Sequence, residues 1–228
     1  MDPLILLDQA VAQDKVPRAL AKKVRLRMRY VQGAVSRVEK ASGLRYPPYY
    51  IEPTLPVSKG GGEYGRLGVM FARVIPTTAT GSLVILVQFT AALVVFGTRA
   101  TIEAVAAHEF AHYVDLVRRL SSTNVTNDEQ ATTLYEASYA DEERTVAPKL
   151  LFSERALVNL VGRKFKGGLS DLSLNKKVGD SWIAKDLPIR WVGPEENVVR
   201  LGIGVVARAN FDPGVLSKVA QLREKMRN

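Results

Sequence analysis

Cysteine is absent from the 228 residues, which excludes a disulfide framework, a thiolate metal site and a cysteine nucleophile. Histidine occurs only twice, so any metal or acid–base chemistry that uses imidazole must use those two side chains. Long hydrophobic runs are also missing. The longest, Leu83–Phe96, is interrupted by Gln88 and Thr90 and falls short of the ~20 residues that a membrane helix needs. Its β-branched content reads instead as a buried strand, or two in succession. The opening segment MDPLILLDQAVAQD has acidic flanks, no basic leader and only a short apolar run, so no secretory signal is expected there. A cytoplasmic protein with no membrane insertion is the resulting expectation.

What is present suffices for a core. Hydrophobic residues make up 46% and charged residues 24%, and the length corresponds to about one and a half average domains. The net charge of +9 is unevenly spread: residues 1–45 carry +6, residues 100–148 carry −6 and residues 149–228 carry +7. Basic ends suit contact with nucleic acid, a ribonucleoprotein or another anionic surface, although summed charge speaks to association more than to chemistry. The acidic middle is more pointed, because carboxylates gathered there can attract a cation.

Residues 17–41 carry Leu20, Val24, Met28, Val31, Val35 and Val38 at three- and four-residue steps, the signature of an amphipathic helix. Lys22, Lys23, Arg25, Arg29 and Lys40 fall on its other face, either as a solvated surface or as a nucleic-acid contact. Pro47 and Pro48 end that pattern. Residues 49–57 and 66–75 read as strands joined by the loop SKGGGEYG, a flexible hairpin connection that lacks the lysine and hydroxyl spacing of a phosphate-binding loop. A helix is expected over 101–120, capped by Thr98 or Thr101, and a second over 128–147, with capping pairs at Thr126/Glu129 and Ser138/Asp141. Further helices are expected at 153–165, at 171–185 and after Pro213, with strands at 189–192 and 198–207. No internal repeat is visible.

The most informative residues are His108-Glu109-Phe110-Ala111-His112. Four residues is just over one helical turn, so both imidazoles project from one face and can grip one zinc ion. Glu109 stands beside them, placed to take a proton from a water at the metal. Two histidines scattered at random would fall four apart in about 1% of arrangements, and with glutamate directly after the first in roughly 0.05%. Chance is a poor explanation for the pattern.

With this motif the sequence resembles the zincin metallopeptidases, in which an HExxH helix supplies two zinc ligands and the general base. The resemblance is specific over five residues and extends in context over about 50. A metzincin pattern would place glycine at 115 and histidine at 118, where this chain has Asp115 and Arg118. With no other histidine, the resemblance implies a carboxylate as third ligand, as in gluzincins, where a following helix supplies a glutamate.

Glu136 and Glu143 both qualify. If the first helix ends near Leu120 and the next begins near Asp128, the residue facing His112 is Glu136. Glu143 has Tyr139, Ala140, Val146 and Ala147 as helical neighbours, and a carboxylate on such an apolar face wants a partner. Related families carry an aspartate four residues after the ligand glutamate; here Ala140 stands there and Asp141 follows it. Asp141 or Asp115 is the candidate for orienting a ligand histidine. Tyr113, Tyr135, Tyr139 and Arg144 are candidates for the oxyanion donor.

The resemblance further implies an α+β, zincin-like domain over residues 1–150. It comprises an N-terminal helix, a small mixed twisted sheet whose edge strand aligns a peptide, the HExxH helix and the glutamate helix. Residues 151–228 form an α+β extension without an assigned role. The implied activity is zinc-dependent hydrolysis of a protein or peptide. The alternative is a zinc-containing binding protein without turnover that uses the basic helix 17–41 and the basic C-terminal third to hold nucleic acid or a ribonucleoprotein.

Overall fold

A computed structural model describes residues 2–58, 68–121, 145–166, 168–192 and 203–227. The chain begins with α1 (Ile5–Ala12) and the long α2 (Arg18–Ser42). All six apolar positions predicted for α2 are buried, together with Ala21, Ala34 and Ala41. Its end is set by Gly43, whose φ of 70° suits a residue without a side chain and whose N–H closes on Glu39 O at 2.8 Å.

The segment expected as one strand over 49–57 is two, β1 (Tyr49–Glu52) and β2 (Leu55–Ser58), and they belong to different sheets. Pro53 lies between them; with no N–H to offer a ladder it breaks the strand and lets the chain change sheets. β3 (Gly68–Val69) pairs antiparallel with β2, as expected for the flanks of a hairpin. The glycine-rich loop between them lies largely outside the described residues. β4 (Ala72–Ala79) and β5 (Ser82–Thr90) form a second hairpin, with Thr80 and Gly81 both at positive φ in the tight turn.

β1 joins β5 in parallel, giving a three-stranded mixed sheet in the order β1-β5-β4. Along β5, Leu83, Ile85, Val87 and Phe89 are buried in alternation. Gln88 is also buried, and it is satisfied across the sheet: Arg73 Nε donates to its Oε1, and its Nε2 donates to Glu52 at 2.7 Å.

The apolar run does not continue as strand. Residues 91–96 form α3 (Ala91–Phe96), started by Thr90, whose Oγ1 accepts from Leu93 N at 3.3 Å. A short, wholly apolar run has no periodicity that separates strand from helix, which is why the sequence misleads here. α4 (Arg99–Leu120) follows, with Thr98 rather than Thr101 as its cap. It is buried on nearly every side, with Ala104, Ala106, Ala107 and Ala111 letting its neighbours approach closely.

Of the helix expected over 128–147, residues 128–144 lie outside the described residues. Residues 145–147 are not helical: Ala147 has ψ of 130°, as the residue before a proline prefers, and Pro148 opens the short α5 (Pro148–Leu151). Then come α6 (Arg155–Lys164), α7 (Leu172–Ser181), a 3-10 turn (Ile183–Lys185) and β6 (Ile189–Val192). The last elements are α8 (Ile203–Val206) and α9 (Pro213–Arg227). The strand expected over 198–207 is thus helix where it is described, at 203–206.

The elements after residue 150 share the core of those before it. β6 pairs in parallel with β2, α6 and α9 pack on α4, and Trp182 is fully buried edge-on against Phe96 at 6.4 Å. Several arginines of α2 are also engaged within the molecule. Arg25 pairs with Asp8, and Arg27 donates to the carbonyls of Val94 and Gly97 at the end of α3. Arg37 joins Glu154 to the buried Glu103, which Arg99 also meets. The molecule is of the α+β class, and among the described residues no helix is long and apolar enough to cross a membrane.

Candidate metal centre

His108 and His112 lie near the middle of α4, half-buried, on one face as their spacing requires. Their Nε2 atoms are 3.0 Å apart and the rings stand edge to face at 87°. Two imidazole nitrogens at ~2.05 Å from a tetrahedral zinc would be about 3.3 Å apart. The observed separation therefore needs to open by only a few tenths of an ångström to admit such an ion, and the pair fits that bite.

Electrostatics favour the neutral, metal-binding form of His108. Burial, and secondarily the neighbouring His112, push its pKa from the ordinary 6.5 down to about 3. The consequence for the metal-free fold has a definite sign. The unfolded chain takes up a proton below pH 6.5 that folded His108 excludes until about pH 3. This contribution to stability is complete above pH 6.5 and is lost as pH falls through that window. The slope approaches about 1.4 kcal/mol per pH unit. Urea midpoints of chelated protein between pH 7 and 4 should fall more steeply for wild type than for His108→Gln; equal slopes would contradict the assignment.

Glu109 is 7% exposed and follows His108 directly on the helix. Tyr46 lies close by: its hydroxyl donates to Ala106 O at 2.9 Å, its ring stacks on Phe110, and burial foremost, then the charge of Glu109, hold its phenol well above the ordinary range. Of the residues within the motif, Phe110 falls on the opposite side of the helix, and both it and Ala111 are buried in the core.

Asp115 does not orient a histidine. Its buried carboxylate accepts from Arg118 Nε and Nη2 at 2.9 and 2.7 Å and from Arg119 Nε at 2.6 Å, a clamp one turn further along α4. The two arginines compensate a charge that would otherwise be costly to bury. Tyr113 follows His112 and so is turned about 100° away from it. It lines a separate pocket of about 220 Å³ with Tyr46, Pro47, Pro48 and Asp212. Burial, with Asp212 adding its charge, raises its phenol to about 12. Of the candidates named above for an oxyanion donor, Tyr135, Tyr139 and Arg144 remain.

Those three residues, and also Glu136, Asp141 and Glu143, lie outside the described residues. Among the described residues no third histidine, aspartate or glutamate joins the two imidazoles into a metal-sized group.

Two features near the histidines have no counterpart in the sequence reading. Phe165, at the end of α6, stacks flat on the His108 ring, with centroids 3.8 Å apart and planes at 10°. Beside it, Lys164 Nζ donates to Asp171 Oδ2 at 2.8 Å, and the same oxygen accepts from Thr101 Oγ1 of α4 at 2.6 Å. The contacts of Phe165 with His108 and of Asp171 with Thr101 join positions 57 and 70 residues apart, so no local pattern announces them.

Comparison with protein-family models, with curated proteins and with solved structures gives no match to this chain.

Proposed function

We propose that this protein is a zinc-dependent metallopeptidase of zincin-like, gluzincin-type architecture. The observation that carries the reading is the pair of imidazole nitrogens 3.0 Å apart on α4 with Glu109 immediately beside one of them. His108 and His112 would hold the ion with Glu136, Glu143 being the other glutamate in reach of the role. Zinc, when bound, supplies the Lewis acidity that polarises a peptide carbonyl and makes water nucleophilic near neutral pH.

The rest of the chemistry belongs to the chain. Glu109 removes the proton from the attacking water as the new C–O bond forms, and delivers it to the amine nitrogen as the C–N bond breaks. A site with a purely structural metal has no use for such a base. Supporting features are the order of helix, small mixed sheet and HExxH helix, and the place of β4. It is one of the two edge strands of its sheet among the described residues and packs against α4, where an extended peptide could be aligned.

Cleavage of an unfolded protein such as casein tests the proposal. Activity should vanish with 1,10-phenanthroline and return with added zinc. Activity that is indifferent to the chelator, in protein shown to have lost its metal, would contradict it.

A further inference from the structure

A metal-binding histidine is ordinarily held in orientation by a hydrogen bond from its second ring nitrogen to a carboxylate or carbonyl. His108 has no such bond among the described residues: its polar contact there is Nε2 to His112, and the aspartate nearest in sequence, Asp115, is committed to two arginines. Among the described residues, ring contacts constrain its plane. The flat contact with Phe165 does so on one face, and His112 meets the ring edge-on.

The Phe165 ring is itself anchored to the helix that carries His108. Thr101 lies seven residues before His108, on the same face of α4 to within about 20°. Its hydroxyl donates to Asp171, which also receives Lys164, the residue next to Phe165. The other Asp171 oxygen caps α7 through Leu174 N at 3.0 Å, so both oxygens of this 8%-exposed carboxylate are occupied. Between the two ends of the latch the chain folds back tightly. Ser170 N closes on Lys164 O at 2.7 Å, Phe165 bridges Leu169, and Gly168 takes a φ of 98° that a side chain would resist. Thr101, Asp171, Lys164, Phe165 and His108 therefore form a closed circuit along one face of α4.

We infer that Phe165 is a positioning residue for the metal centre: its ring, latched to α4 through Lys164, Asp171 and Thr101, sets the orientation of the His108 imidazole. The inference rests on the metal-centre reading proposed above. It also gives the C-terminal third a part in the site, because Lys164, Phe165 and Asp171 supply the support that a hydrogen-bonded acceptor supplies elsewhere.

The test compares zinc affinity, by competition with a chromophoric chelator, in wild type, Phe165→Leu, Phe165→Tyr and Thr101→Val. Leucine keeps apolar bulk but removes the flat face, and should weaken zinc binding about tenfold, the lower end of the range for supports of a metal ligand. Tyrosine keeps the face and should stay within about twofold of wild type. Thr101→Val, which cuts one strand of the latch, should fall between Phe165→Leu and wild type. In metal-free protein, the upfield ring-current shift of the His108 ring protons should be present in wild type and lost in Phe165→Leu.

A merely structural phenylalanine would lower the melting temperature and leave the affinity of the folded protein unchanged, and that result overturns the inference. Wild type that binds zinc alongside a Phe165→Leu variant of equal affinity defeats the inference alone. Wild type that binds no zinc defeats the metal reading and, with it, this role for Phe165.

Discussion

Glu109→Gln is expected to keep its zinc and to lose peptidase turnover by about 10²–10⁴-fold, the range associated with removing a positioned general base. Glutamine matches glutamate in shape, so the neighbours of this buried position keep their packing. It cannot accept the proton that the attacking water must lose. Zinc content should be unchanged, because the two imidazoles meet on one helix face and Glu109 is not one of the ligands assigned to the ion. The Tyr46 phenol should stay raised, since burial is the larger cause and the charge of Glu109 the smaller. Loss of activity with retained metal separates a catalytic centre from a structural one; undiminished activity would sink the mechanism.

The second large effect concerns the third ligand. Glu136→Ala should lose most of its zinc, whereas Glu143→Ala should retain it. α4 ends at Leu120, where the sequence pattern places its end, so His112 sits eight residues before that end. An antiparallel partner helix starting near Asp128 would bring the residue about eight positions in, Glu136, to its level. Two imidazoles alone leave the tetrahedral shell of zinc half filled by protein, and zinc sites ordinarily use three or four protein ligands. The reverse pattern, with Glu143→Ala losing the metal, would reassign the ligand to the glutamate seven residues on and leave the histidine pair as it stands.

Features that depend on local geometry are the ones the sequence discloses. The histidine pair, α2 and α4 all follow from spacing along a single helix, and the structure places them where that spacing says. The split of 49–57 into two strands was signalled by Pro53, but which sheets receive the halves depends on β5 and β6, which lie far along the chain. The turn from β5 into α3 was hidden because an apolar run buried on all sides satisfies strand and helix alike. The clamp on Asp115 is foreshadowed by Arg118 and Arg119 at three- and four-residue spacing along the same helix. Phe165 and the Thr101–Asp171–Lys164 latch had no local signal at all. They exist because α6 packs on α4 and Asp171, the cap of α7, reaches Thr101.

The measurement that bears most directly on this account is the zinc content per chain of the purified wild-type protein, with His112→Ala beside it. The account predicts one zinc per wild-type chain and almost none in the variant, because the variant keeps only one of the two nitrogens that define the bite. Wild type that carries no zinc, even after incubation with the metal and removal of the excess, would contradict it, and the close approach of the two imidazoles would then be no more than a helix contact.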